Sequence, residues 1–126
     1  MNRKRILVID DEPSITRGIM LNLDALGTYE VRQENSARAA VQSAREFRPD
    51  LILLDVMMPE MDGGEVAARL REVPELKDTQ ILFLTAIVSH EETEGGEAYI
   101  GGEDYLAKPV DLAILVRAIN HRLING

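Results

Sequence analysis

Leu51-Ile52-Leu53-Leu54-Asp55 runs four apolar residues straight into a single acid. A run this short and this uniformly apolar reads as a strand covered on both faces. Two other runs repeat the pattern: Ile6-Leu7-Val8-Ile9 stops at Asp10-Asp11, and Ile81-Leu82-Phe83-Leu84 stops at Thr85. Between them, apolar residues recur at helical spacing. Ile15, Ile19, Leu23 and Leu26 follow Pro13, which suits a first helical turn, and Gly27 marks the C-cap region. Ser36 can cap a helix carrying Ala40, Val41, Ala44 and Phe47, with Pro49 beyond its end. Gly63-Gly64 precede a helix with Val66, Ala67 and Leu70, closed by Pro74. Tyr29 to Gln33 is a weaker, alternating strand, and Tyr105-Leu106-Ala107 is the last one. Asp111 then caps a helix with Leu112, Leu115, Val116, Ile119 and Leu123. Residues from about Ser89 to Tyr99 are the expected fourth helix, which Gly95-Gly96 weaken by roughly 1 kcal/mol per Gly relative to Ala.

Five strands alternating with five helices predict an α/β fold, a single doubly wound parallel sheet. A small barrel or a ferredoxin-like sandwich explains the regular alternation less well. The chain is 126 residues and 45% hydrophobic, the size of one domain with a sizeable core. No linker, repeat or low-complexity tract divides it. No apolar run approaches the ~18 residues of a membrane span. The basic start, Met1 to Arg5, meets Asp10-Asp11 too soon to be a signal peptide. There is no cysteine, which excludes disulfides and thiolate chemistry and fits a cytoplasmic setting. The net charge of -8 argues against nonspecific nucleic-acid binding and is compatible with a hard cation.

The polar residues at the strand ends carry the chemistry. In an open parallel sheet the carboxyl ends of the strands share one edge, and ligands bind in the crevice there. That edge should gather Asp10, Asp11, Asp55, Thr85 and Lys108. Alone, Asp55 is a solvated loop acid, Asp10-Asp11-Glu12 an acidic first helical turn, Thr85 a strand-end cap and Lys108 a surface lysine. Together they are three carboxylates in mutual repulsion, which a divalent cation relieves. The donors are all oxygens, so Mg²⁺, Mn²⁺ or Ca²⁺ fits better than zinc. A carboxylate beside such an ion can attack phosphorus and give an aspartyl phosphate. Thr85 can then hydrogen-bond a phosphate oxygen, and Lys108 can neutralise another.

Ile6 to Pro13 (ILVIDDEP), Leu51 to Gly63 (LILLDVMMPEMDG), Ile81 to Ala86 (ILFLTA) and Asp104 to Pro109 (DYLAKP), in this order and spacing, resemble the response-regulator receivers of two-component signalling. The resemblance covers about Lys4 to Leu123. It implies a flavodoxin-like sheet in the order 2-1-3-4-5, as in the chemotaxis receiver. It implies that Asp55 is the phosphoacceptor and that Asp10, Asp11, Asp55 and the backbone carbonyl of Met57 hold Mg²⁺, with Mn²⁺ as a substitute. Thr85 and Lys108 would contact the phosphoryl group, Thr85 and Tyr105 would act as the switch pair, and the Lys108–Pro109 peptide would be cis. The donor would be the phosphohistidine of a histidine kinase or phosphotransfer protein. The readout would lie on the fourth helix, last strand and last helix, a face also compatible with homodimerisation. The expected partner is a downstream protein, with no direct nucleic-acid or membrane contact, and no effector domain is expected within residues 1–126. Such a domain is a switch that phosphorylates itself, not a turnover enzyme.

Three features depart from the family pattern. Ile87 to Gly102 is rich in Glu and Gly where an alanine-rich helix is usual. Val110 replaces an aromatic. Met57 and Ile87 are apolar where polar residues orient hydrolytic water, which predicts slow autodephosphorylation. Three other readings compete. A phosphorylation-independent docking module would not need the full acid set. An aspartyl-phosphate phosphohydrolase would carry an acid at position 57. A flavin carrier would need a Ser/Thr/Gly loop after the first strand.

Overall fold

A computed structural model describes residues 3–85, 97–100, 103–108 and 111–125, with backbone alone at 97–100, 103–105, 107 and 125. The elements run β1 (Lys4–Ile9), α1 (Pro13–Asp24), β2 (Tyr29–Glu34), α2 (Ala40–Phe47), β3 (Leu51–Asp55) and α3 (Gly63–Arg71). They continue with β4 (Gln80–Thr85), β5 (Glu97–Ile100), β6 (Glu103–Ala107) and α4 (Leu112–Asn125). The sheet order is β2-β1-β3-β4-β6-β5. The first five of these strands are parallel neighbours, in the order the resemblance implied.

The apolar runs explain the layering. Successive side chains of a strand point to opposite faces. Ile6, Val8, Leu51, Leu53, Leu82 and Leu84 therefore meet Ile19 and Leu23 of α1 and Leu115 and Ile119 of α4. Leu7, Ile9, Ile52, Leu54, Ile81 and Phe83 face the other way, onto Ala40 and Ala44 of α2 and Val66 and Leu70 of α3. Helices cover both faces, which is why Ile6–Ile9, Leu51–Leu54 and Ile81–Leu84 carry no polar side chain. Burying each such Leu or Ile contributes roughly 1.5–3 kcal/mol.

Pro13 occupies the first turn of α1, and Gly27 follows its end at φ +76°. The Asp62 carboxylate accepts from Glu65 N–H at 2.8 Å and caps α3, whose first two residues are the Gly63-Gly64 pair. Asp111 caps α4 as expected, its Oδ1 accepting from Ile114 N–H at 3.2 Å. Ser36 does not cap α2. The helix starts at Ala40, four residues later, without a side-chain cap, and Ser36 Oγ instead lies 3.2 Å from Glu60 Oε1.

The sheet has one strand more than expected. Glu97–Ile100 is an antiparallel edge strand on β6, pairing Ile100 with Glu103 and Glu97 with Leu106. The expected fourth helix therefore cannot reach Tyr99, and its earlier part, 89–96, lies outside the described residues. The reason is legible in composition. Ala-Tyr-Ile suits an extended chain, and the two runs are separated by Gly101-Gly102, a two-residue hairpin signal. Four helices are present among the described residues.

In this order β1 has β2 on one side and β3 on the other, although β1 leads on to β2 and β2 to β3. A crevice opens at the carboxyl ends of two strands where the winding reverses in this way. Asp10 and Asp11 follow one of these strands and Asp55 ends the other.

Candidate functional site

Asp10 leaves β1 with its backbone still in the ladder, its N–H donating to Glu34 C=O at 3.1 Å. Its side chain is wholly buried. Its Oδ1 accepts from Glu12 N–H at 3.0 Å, a local turn that starts α1. Asp11 is half-buried beside it. Asp55 is the last residue of β3, 2% exposed, with Oδ1 3.3 Å from Met57 N–H. Gly63 makes room for this strand end: a Cβ there would lie 2.5 Å from the Asp55 carbonyl oxygen and 2.9 Å from Val56 Cα. Its N–H donates to Val56 C=O at 2.8 Å, so the loop closes directly over Asp55.

Lys108 arrives by the same ladder logic. Its N–H donates to Thr85 C=O at 2.9 Å, extending the β4–β6 pairing by one step. The side chain reaches across the edge, with Nζ 2.7 Å from Asp10 Oδ2, 3.1 Å from Asp55 Oδ1 and 3.8 Å from Glu12 Oε1. Thr85 is buried at the end of β4, one register step beyond the Leu84 that pairs with Asp55. Carboxylate oxygens of Asp10, Asp11 and Asp55 all lie within 4.8 Å of one another. Four strand ends thus bring together the residues singled out by the sequence. Met57 is also here through its backbone, while its side chain is 63% exposed. The Tyr105 side chain, Ile87, Val110, and Pro109 with its peptide lie outside the described residues.

Burial pushes the Asp55 carboxyl up, and the nearby Asp10 charge adds to this. The Lys108 hydrogen bond and charge and the Met57 N–H oppose them, leaving it at about 6. Burial pulls the Lys108 ammonium down, but its bonds and charge interactions with Asp10 and Asp55 outweigh that and leave it raised. Asp10 Oδ2 is buried, with the Lys108 ammonium 2.7 Å away. A buried carboxylate oxygen with spare acceptor capacity, in an all-oxygen cluster, suits a hard divalent cation. One lysine cannot balance three clustered carboxylates.

Sequence reasoning missed a supporting layer. Glu12 adds a fourth carboxylate to the rim of the site. Asn35 and Thr16 join the turn that carries Asp10 and Asp11. Glu60 ties the loop after β3 to the start of α2, its Oε1 accepting from Ala37 N–H at 3.2 Å.

Residues 6–120 match the response regulator receiver domain family. The chain belongs to that family. Among solved structures, the receiver resembles the chemotaxis protein CheY4 of Vibrio cholerae, with a TM-score of 0.82 and 33% identity over 97% of this chain and 100% of that one. A response regulator of Chloroflexus aurantiacus gives a TM-score of 0.81 at 31% identity, covering 98% of this chain and 99% of that one. Among curated proteins, it is 38% identical over 122 residues to the DNA-binding dual master transcriptional regulator RpaA of Synechocystis, covering 94% of this chain and 49% of RpaA. It is 35% identical over 109 residues to the alkaline phosphatase synthesis transcriptional regulatory protein PhoP of Bacillus subtilis, covering 84% of this chain and 42% of PhoP. The receiver spans about half the length of the curated relatives it matches. Receiver domains are regulatory switches of two-component systems, and they bind Mg²⁺ at such an aspartate cluster. Among the described residues, no helix is long and apolar enough to cross a membrane.

Proposed function

We propose that this receiver is phosphorylated on Asp55 from the phosphohistidine of a histidine kinase or phosphotransfer protein, and that the resulting charge switches a protein-interaction surface. The observation that carries the reading is the buried Asp55 carboxylate, held by Lys108 Nζ within the Asp10–Asp11–Asp55 cluster. Asp10, Asp11, Asp55 and the Met57 carbonyl would hold Mg²⁺. When bound, the cation lowers the repulsion between the carboxylates and the incoming phosphoryl oxygens.

The chain's own residues do the rest. A carboxylate oxygen of Asp55 attacks phosphorus as the phosphorus–nitrogen bond to the donor imidazole breaks. The electron pair of that bond leaves with the imidazole nitrogen. Lys108 keeps its ammonium at Asp55 and neutralises a phosphoryl oxygen as a point charge. Thr85, at the next strand end, donates its hydroxyl to another. Phosphorylation adds a charge of about -1.5 to -2 at one end of the sheet. Movement of Thr85 would let Tyr105 repack on β6, so that β6, α4 and the segment before β5 form the readout face. We assign residues 4–123 to the receiver core. We assign the reaction to the cytoplasm, in keeping with a chain that has no cysteine.

The test is intact mass spectrometry after incubation with acetyl phosphate and Mg²⁺. One phosphoryl adduct on the wild type and none on Asp55→Asn supports the switch. No adduct on the wild type favours a docking module that signals without phosphorylation.

A further inference from the structure

Beneath the turn that carries Asp10 and Asp11 lies a small polar network that the phosphoryl chemistry does not use. Asn35, just past the end of β2, donates from Nδ2 to the Asp10 backbone carbonyl at 2.8 Å. The same nitrogen donates to Thr16 Oγ1 at 2.9 Å. Thr16 is wholly buried. Its own proton has two acceptors in range, Gln33 Oε1 at 2.7 Å and Pro13 C=O at 3.1 Å, and the shorter contact favours Gln33.

The Asn35 end of the network admits one arrangement. A backbone carbonyl can only accept, so the amide nitrogen of Asn35, not its oxygen, must face Asp10. Both protons of that nitrogen are then used. Thr16, having accepted from Asn35, has its proton free for Gln33. Thr16 is the buried centre of this network, and loss of the Asn35 donor leaves its hydroxyl and the Asp10 carbonyl with one partner fewer.

The Asp10 carbonyl matters because of where it sits. It belongs to the peptide that joins Asp10 to Asp11. Asp10 N–H is held by the β-ladder through Glu34, and the carbonyl is held by Asn35. The ladder thus holds the peptide plane before Asp10 and Asn35 holds the one after it, which together set the backbone rotation at Asp10 and with it the direction in which Asp11 leaves the buried strand.

We propose that Asn35 is a positioning residue for the cation site, fixing the Asp10–Asp11 peptide so that both carboxylates converge with Asp55 on one divalent ion. This rests on reading the acid cluster as a Mg²⁺ site. Groups that orient metal ligands without touching the metal typically change affinity by about 10–100-fold when removed.

The experiment is calorimetric titration of the whole chain with MgCl₂, for wild type, Asn35→Leu and Thr16→Val, with melting curves in EDTA. Leu keeps the branched shape of Asn and removes its donors. The expected result is a Kd raised about tenfold or more in Asn35→Leu. A smaller rise is expected in Thr16→Val, which leaves the Asn35–Asp10 bond in place. Labelling of Asn35→Leu by acetyl phosphate should be slow at low Mg²⁺ and recover at saturating Mg²⁺. A merely structural role would lower the melting temperature in EDTA and leave the Kd unchanged, and that result overturns the proposal. If Asn35→Leu does not fold, Asn35→Ala, which removes the same donors from a half-buried side chain, carries the test, and an unchanged Kd there overturns the proposal equally. A wild type that binds no Mg²⁺ would overturn the reading of the acid cluster itself, a failure distinct from equal Kd values.

Discussion

At Asp55, burial and the neighbouring Asp10 carboxylate push the acid from its ordinary 3.8 up to about 6, in spite of Lys108. The consequence for stability has a definite sign. Between about pH 4 and pH 6 the folded chain binds more protons at this residue than the unfolded chain does. Without metal, stability attributable to Asp55 therefore falls as pH rises through that window, and stays low above it. Asp55→Asn removes the charge and keeps the shape. In EDTA at neutral pH it should stabilise the fold, on the order of 1–3 kcal/mol. Denaturant unfolding at pH 5 and pH 8 measures this: the gain should be larger at pH 8, and a loss of stability at both pH values would contradict it. Lys108 opposes the same repulsion from the other side. Its ammonium, raised by its carboxylate partners, is fully charged throughout this range.

The elements explain how such a costly group is held in place. β3 can end in a buried acid because four apolar residues before it are locked on both faces. The loop after it can close because Gly63 has no Cβ. Gly63→Ala forces the added carbon onto the backbone of residues 55 and 56, and overpacking of this kind costs about 1–3 kcal/mol. A thermal melt should show it, and an unchanged midpoint would mean the loop is looser than described. At the other edge, β5 replaces the end of the expected fourth helix. Backbone chemical shifts of Glu97–Ile100 should be those of a strand, and helical shifts would contradict the pairing with β6. The difference in legibility between these two edges is physical. β1, β3 and β4 each carry a four-residue apolar run that stops at a polar residue, the pattern of a parallel strand covered on both faces. Residues 97–100 combine Glu, Ala, Tyr and Ile, which fit a helix or a strand locally, and only the pairing with β6 decides. The site aspartates and Lys108 were legible because each follows such a run or strand. Asn35, Thr16 and Gln33 were not, because their significance lies in contacts between β2 and the β1–α1 turn that spacing does not reveal.

For the whole molecule, the acid cluster links folding, metal and signal. A ligand bound only by the folded state stabilises it by about 2.7 kcal/mol at 100 times its Kd. Mg²⁺ should therefore raise the melting temperature. The rise should be larger at pH 8, where Asp55 is ionised, than at pH 5, where a proton competes with the cation. An identical melt with and without Mg²⁺ at pH 8 would contradict a cation site. The signal itself is a covalent bond at one carboxylate. An acyl phosphate, unlike a phosphoserine or a free carboxylate, is reduced by borohydride, so an aspartyl phosphate leaves homoserine at its position. After treatment with acetyl phosphate and Mg²⁺, followed by borohydride and peptide sequencing by mass spectrometry, homoserine should appear at position 55 alone and vanish when EDTA replaces Mg²⁺. Homoserine at another aspartate, or none at all under conditions where the chain is folded and Mg²⁺ is saturating, would contradict the assignment of Asp55 as the phosphoacceptor.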